Sequence, residues 1–356
     1  MKILADASLP GLPHAFPAPF DLSLYEQASD LHTHLHGQSI LLCRSTLHVD
    51  ESLLEGHLLR YVATASSGTD HIDHHSLEIL GIQLLDAKGS NATAVADYVV
   101  SCVAYLQKYE QFSGLKAGII GMGAVGSKVA QRLQTLNFDV ISYDPPKTKR
   151  DADYLSCSMD ELLDCDLICV HANLHDNAPD ASRNLLNKSF LKKLKPGTAI
   201  INASRGEIVN EDDLLSLDNP ILYCTDVFTD EPEINEKIVD YATLCTPHIA
   251  GHSQEAKYRA VQMISEQLHH HYHLRLPEYD TVKVSHIPEF KPGKSWQDYV
   301  LSLFNPVDDT VGLKLANDKT EAFIKLRKAH LNRHDFYAYD HPALDDYLKM
   351  ILGCSL

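Results

Sequence analysis

The chain has 356 residues, 44% hydrophobic and 22% charged, enough for two or three domains of roughly 100 to 200 residues each. A net charge of -17 argues against nucleic acid and against an anionic membrane surface as partners, so an anionic ligand has to be met by local arginines. No apolar run is long enough to cross a bilayer, the start "MKILADASLP" lacks a signal core, and the eight cysteines show no CxxC pairing, which together read as a cytoplasmic protein with reduced thiols.

Short apolar runs alternate with helix-like segments along most of the chain. Strands are expected at "KILAD" (2–6), "ILLCRS" (40–45), "RYVATAS" (60–66) and "IQLLDA" (82–87), followed by a long helical pattern over 91–109. A second series begins at "AGIIG" (117–121) and continues through "DVISYD", "LICVHA", "TAIINAS" and "ILYCTDV" to "ATLCTPHIAG". This alternation predicts parallel sheets covered by helices, and two series predict two domains. A further helix is expected over 253–273, after which the alternation is lost and a small appended unit follows.

"GIIGMGAVGSKVAQRL" (118–133) carries the first chemistry. Gly121, Gly123 and Gly126, with Ala124 and Val125 between them, fit GxGxxG, which turns the chain off a strand and opens a helix against a pyrophosphate. Three glycines alone often mark only a turn. Here a strand precedes and an amphipathic helix follows, and Asp144 lies 18 residues beyond Gly126, where a carboxylate accepts from the adenosine ribose hydroxyls. NAD is therefore expected over NADP. Because a separate β/α series precedes the fingerprint, the ligand is expected in a cleft between the domains. The helices 91–109 and 253–273 would be the crossings. The expected divisions are a discontinuous substrate domain of 1–93 with 254–285, a dinucleotide domain of 94–253, and a C-terminal unit of 286–356.

Three residues lie at the carboxyl ends of expected strands: Arg205 in "INASRGEIVN", Glu231 in "DVFTDEPEIN" and His248 in "CTPHIAGHS". An arginine can fork onto a substrate carboxylate, a histidine can take a hydroxyl proton, and a glutamate paired with that histidine fixes its tautomer. Singly, each would more often be a surface or structural residue. Their shared placement beside a dinucleotide fingerprint makes coincidence the weaker explanation.

"GMGAVG", "INASRGEIV", "DVF..EP" and "TPHIAG", in that order over about residues 40–270, resemble the D-isomer-specific 2-hydroxyacid dehydrogenases. "RSTLHVDESLL" (44–54), "TASSGTDHID" (64–73), "GSNATAVADYV" (89–99) and "DEPEIN" (230–235) resemble a branch of that family acting on a phosphorylated hydroxy acid. The resemblance implies an α/β protein of two Rossmann-like, doubly wound parallel-sheet domains with an interdomain cleft. It also implies a small C-terminal α+β dimerisation domain and hence a homodimer. It assigns Arg205 to the substrate carboxylate, Glu231 to support of the histidine, and His248 to acid/base chemistry. Ser45 and Ser66 fall at substrate positions, and Asp144, Ala203, Ser204, Arg205, Asp226 and Gly251 at cofactor positions, with NAD as cofactor. Two positions depart from the branch: His252 stands where a substrate-contacting tyrosine is usual, and Ala172 where a cofactor-contacting threonine is usual. Asp97 replaces a more common glutamate.

Arg44, beside Ser45 at a strand end, is the candidate for neutralising a substrate phosphate; a surface arginine is the equal alternative. Three functions remain open: the phosphorylated-acid dehydrogenase of that branch, a sister enzyme for another D-2-hydroxy acid such as 3-phosphoglycerate, and a non-catalytic NADH-sensing regulator. The runs "LHTHLH" (31–36) and "HHHYH" (269–273) lack partners at ligand spacing and are expected to be solvated rather than metal sites.

Overall fold

The computed structural model describes residues 1–284, 286–288, 294–330 and 332–354. Backbone contacts divide the chain into two compact units, Met1–Asn91 with Ser253–Lys283, and Ala92–His252 with Val284–Leu356.

The first unit holds β1 (Lys2–Asp6), β2 (Asp21–Tyr25), β3 (Ile40–Cys43), β4 (Tyr61–Thr64) and β5 (Gln83–Asp86). They form one parallel sheet in the order β2-β1-β3-β4-β5. Successive strand residues point to opposite faces, so Ile3, Ala5, Ile40 and Leu42 meet Ile264 and Leu268 of the helix Gln254–His271, while Leu4, Leu41 and Val62 fill the other side. β2, "DLSLY", is absent from the expected strands. It is an edge strand with only Tyr25 fully buried, so its apolar pattern is faint.

The histidine runs divide. His32, His34 and His36 are exposed. His269, expected to be solvated, is instead buried, because helical spacing puts it on the same inward face as Val261, Ile264, Ser265 and Leu268. Its Nδ1 lies 2.8 Å from the Ser265 carbonyl and its ring packs on Phe20. Among the described residues no three His, Cys, Asp or Glu side chains gather as a metal site.

The second unit holds β6 (Lys116–Ile120), β7 (Asp139–Tyr143), β8 (Leu167–Val170), β9 (Ala199–Asn202), β10 (Leu222–Thr225) and β11 (Leu244–Cys245). Their order is β7-β6-β8-β9-β10-β11, all parallel. Ala117, Ile119, Leu167, Cys169 and Ile201 face one core, and Ile120, Ile168, Val170 and Ile200 the other. The chain runs outward from β6 to β7 and then returns to β8 on the far side. The carboxyl ends of β6 and β8 are therefore the switch point at which such sheets bind ligands. Helix Ala92–Tyr109 is buried around most of its circumference, between helices Ala124–Thr135 and Trp296–Leu303.

The C-terminal segment differs from expectation. Its described residues form helices Trp296–Leu303, Val307–Leu315, Lys319–Ala329 and Asp346–Leu352 and no strand, so it is helical rather than α+β. Backbone contacts also group it with the second unit. Val300, Phe336, Ile351 and Leu352 enter one core of the second unit, and Leu313 and Phe323 the other. Its amphipathic helices bury their apolar faces on elements already present rather than around a core of their own. Ser285, the expected end of the substrate domain, lies outside the described residues. Among the described residues no helix is long and apolar enough to cross a membrane.

Candidate active site

The glycine-rich turn leaves β6 at Gly121, whose φ of 90° lies in the left-handed region. A Cβ there would stand 2.6 Å from the Ala172 amide nitrogen, and one at Gly126 would stand 1.9 Å from the Gly121 carbonyl oxygen. Both glycines are thus required by close backbone approach, between the turn after β6 and the chain just past β8 at His171 and Ala172 in the first case. Gly123 differs: apart from its own chain neighbours, no described protein atom lies within 4 Å of the position its Cβ would take. It caps the 12-residue helix Ala124–Thr135 without a side-chain bond, leaving the first amides and the positive end of the helix to an anion.

Asp144, at the end of β7, has its carboxylate fixed by two amides, Met122 at 2.8 Å and Lys147 at 2.9 Å. The acid is therefore held at the rim of the turn, where a ribose would lie. The clear space over Gly123, the uncapped helix start and the fixed carboxylate fit an NAD molecule. Ala172 follows β8, and its carbonyl accepts from the Ser204 hydroxyl, which brings Ala203 and Ser204 after β9 to the same edge. Ala172 offers a methyl group here and no hydroxyl.

Arg205 follows in extended conformation, its Nη1 donating 2.8 Å to the Ser204 carbonyl. Buried Asn202 braces this loop, donating to the Arg205 carbonyl at 3.0 Å and accepting from the Ser204 amide at 3.2 Å. The loop is also pinned at Gly206, where a Cβ would stand 2.0 Å from the Phe228 carbonyl carbon. The amide of Phe228 in turn donates 2.9 Å to Glu231 Oε1. The arginine loop and the glutamate turn are thus in backbone contact.

Glu231 Oε2 lies 2.6 Å from His248 Nδ1. Burial alone would raise the Glu231 pKa, but the His248 charge and bond, the Phe228 amide and the Arg327 charge together hold it below its ordinary value. An ionised acceptor at Nδ1 keeps the imidazole proton on that nitrogen and leaves the Nε2 lone pair to act as a base.

His248 has a φ of 55°, unfavourable for a residue with a Cβ by about 1 kcal/mol or more. Its loop is wrapped around Asp226 to hold that conformation. The Asp226 carboxylate, 1% exposed, accepts from the Thr246 hydroxyl (2.6 Å) and the amides of Ile249 (2.7 Å) and Ala250 (2.8 Å), while its carbonyl accepts from the His248 amide (2.8 Å). Burial raises the Asp226 pKa, opposed by His248 and these bonds. Asp226, placed by resemblance at a cofactor position, also braces the His248 loop with its carboxylate, a role no sequence motif announces. Gly251 and half-buried His252 end this loop, the His252 amide donating 2.8 Å to the Ile249 carbonyl.

The remaining candidates sit in the first unit. Arg44 and Ser45 follow β3 and Ser66 follows β4, its neighbour in the sheet. Arg44 Nε donates 2.8 Å to Asp6, at the carboxyl end of β1, so the cation is oriented by an ion pair rather than loose on the surface. Ser45 is exposed and Ser66 half-buried. Lys257, in the first turn of helix Gln254–His271, has its pKa lowered by burial and then by the Arg44 charge. No motif pointed to it.

Residues 101–250 match the family described as D-isomer specific 2-hydroxyacid dehydrogenase, NAD binding domain. Erythronate-4-phosphate dehydrogenase of Legionella pneumophila (strain Lens) is 52% identical over 348 residues, covering 98% of this chain and 99% of that protein. The enzyme of the same name from Coxiella burnetii (strain RSA 331 / Henzerling II) is 35% identical, covering 95% and 94%. The fold is shared with NAD+-bound 3-phosphoglycerate dehydrogenase of Entamoeba histolytica, with a TM-score of 0.64 and 20% identity over 77% of this chain and 95% of that one. On the near-complete likeness to the first two, and on the matching NAD-binding domain, the chain belongs to the erythronate-4-phosphate dehydrogenases, NAD-dependent members of the D-isomer-specific 2-hydroxyacid dehydrogenase family.

Proposed function

We propose that this chain oxidises the C2 hydroxyl of 4-phospho-D-erythronate to 2-oxo-3-hydroxy-4-phosphobutanoate, an oxidation in pyridoxal 5'-phosphate (vitamin B6) biosynthesis, in the cytoplasm. The observation that carries this reading is the 2.6 Å Glu231–His248 pair, one backbone contact removed from Arg205, in the unit that holds the dinucleotide turn. NAD+, when bound, supplies the hydride acceptor. Gly121, Gly123, Ala124, Val125 and Gly126 would hold its pyrophosphate, Asp144 its ribose, and Ala172, Ala203, Ser204 and Gly251 would line its remaining length.

Arg205 forks onto the C1 carboxylate and so orients C2. His248 Nε2 takes the C2 hydroxyl proton, and the Glu231 carboxylate stabilises the imidazolium that results. Arg44, Ser45, Ser66 and His252 are substrate contacts, with Arg44, seconded by Lys257, on the phosphate. Substrate oxidation thereby yields one proton on His248, which water removes for the next turnover.

An intact acid/base pair with a depressed carboxylate disfavours the NADH-sensing regulator, and the names of the nearly full-length relatives disfavour 3-phosphoglycerate as the natural substrate. The protein acts as a homodimer through its C-terminal segment in this reading. Val311, Leu315, Ile324, Tyr337, Tyr347 and Met350 support it, being large apolar residues of that segment left exposed. NADH formation from 4-phospho-D-erythronate, 3-phosphoglycerate and D-lactate tests the substrate. Preference for the first is expected; turnover of either of the others at a higher kcat/KM overturns the assignment.

A further inference from the structure

β11, which delivers the chain to His248, is a two-residue strand at the edge of its sheet, and His248 itself is in a conformation that needs support. Asp226 holds the amides of the following peptides. Their carbonyls are held by a residue far away in sequence. Arg333, 9% exposed, donates from Nη1 to the carbonyls of Ile249 (3.1 Å) and Ala250 (3.2 Å), and from Nη2 to the Ala94 carbonyl at 2.6 Å. Its guanidinium stacks 4.2 Å over the Phe304 ring, and its Nε is buried with no hydrogen-bond partner among the described residues.

A buried guanidinium is costly and normally answers a carboxylate fork. Here two of its three hydrogen bonds go to the two peptides beside the catalytic histidine. The same segment ties the loop elsewhere. The Thr310 hydroxyl accepts from the Cys245 amide at 2.9 Å, and the Phe323 ring packs against Phe228, whose amide holds Glu231.

We propose that Arg333 is a positioning residue for the catalytic loop, holding the carbonyl side of the Ile249 and Ala250 peptides as Asp226 holds their amide side, so that the C-terminal segment completes the active site of its own chain. The planar fork matters, since a lysine ammonium cannot reach all three carbonyls in their fixed directions. The inference rests on the dehydrogenase reading for what the loop does, and on the hydrogen bonds alone for what holds it.

The test uses full-length protein carrying Arg333→Lys or Arg333→Ala. Arg333→Ala should lower kcat about 100-fold and Arg333→Lys about tenfold, with KM for NAD+ and the assembly state changed less than about twofold. Hydrogen exchange should quicken at Ile249 and Ala250 and stay unchanged in the Gly121–Gly126 turn. If the alanine variant does not fold, the lysine variant decides both readings. Wild-type kcat, or loop exchange that is unaltered or quickened uniformly through the second unit, overturns the proposal. The exchange measurement needs no turnover, so a wrong substrate assignment would leave it intact.

Discussion

Glu231 Oε2 stands 2.6 Å from His248 Nδ1, and the other Glu231 oxygen is occupied by the Phe228 amide at 2.9 Å. With both oxygens committed, the carboxylate can neither rotate nor leave, and the imidazole is presented by one nitrogen only.

Replacing that carboxylate by an amide tests its charge while keeping its shape. Glu231→Gln should lower kcat by about 10²- to 10³-fold, with KM for NAD+ little changed. A pH consequence follows from the depressed Glu231 pKa. The fold favours the ionised form, so this group's stabilisation is complete above the ordinary value of 4.5 and is lost as pH falls through the depressed one. The wild type should therefore lose thermal stability over that acid window more steeply than Glu231→Gln. Parallel melting-temperature curves for the two would contradict it.

Asp144 is held by two amides at the rim of the glycine-rich turn. Asp144→Asn keeps an acceptor toward only one of those amides, since Lys147 is received by Oδ1 and Met122 by Oδ2, and it removes the charge that repels a 2'-phosphate. KM for NAD+ should rise about tenfold and NADP+ should become a measurable substrate. Unchanged discrimination between the two would place cofactor selection elsewhere.

Leu315 is 78% exposed on the helix Val307–Leu315, with Val311 one turn away. If this face joins two copies, Leu315→Glu should shift the molar mass by light scattering from dimer to monomer. The Arg333 bonds are internal to one chain, so kcat at saturating substrate should persist in the monomer. An unchanged mass would move the interface to another surface.

Much of this was legible in the sequence for a physical reason. The central strands of parallel sheets are buried on both faces, so "LICV" and "AIIN" stand out as apolar runs, and the candidate catalytic residues sit in short motifs just past such runs. β2 was not legible, because an edge strand with one buried side chain carries little pattern. His269 was misread as solvated because a run of histidines hides the helical phase that turns one of them inward. Arg333 left no trace at all. Its partners are backbone carbonyls of Ala94, Ile249 and Ala250, and a carbonyl looks the same whatever side chain accompanies it. Asp226 stood out only as a cofactor position; that its carboxylate also answers Thr246, Ile249 and Ala250 left no mark in the sequence.

The most direct measurement compares NADH formation from 4-phospho-D-erythronate by the wild type and by His248→Asn, with NADH affinity measured alongside. The wild type should turn over, and the variant should be slower by about 10³-fold or more while binding NADH unchanged, because an amide cannot take the hydroxyl proton. Equal rates in the two proteins would contradict the account, since the proton would then be leaving by a route that does not include His248.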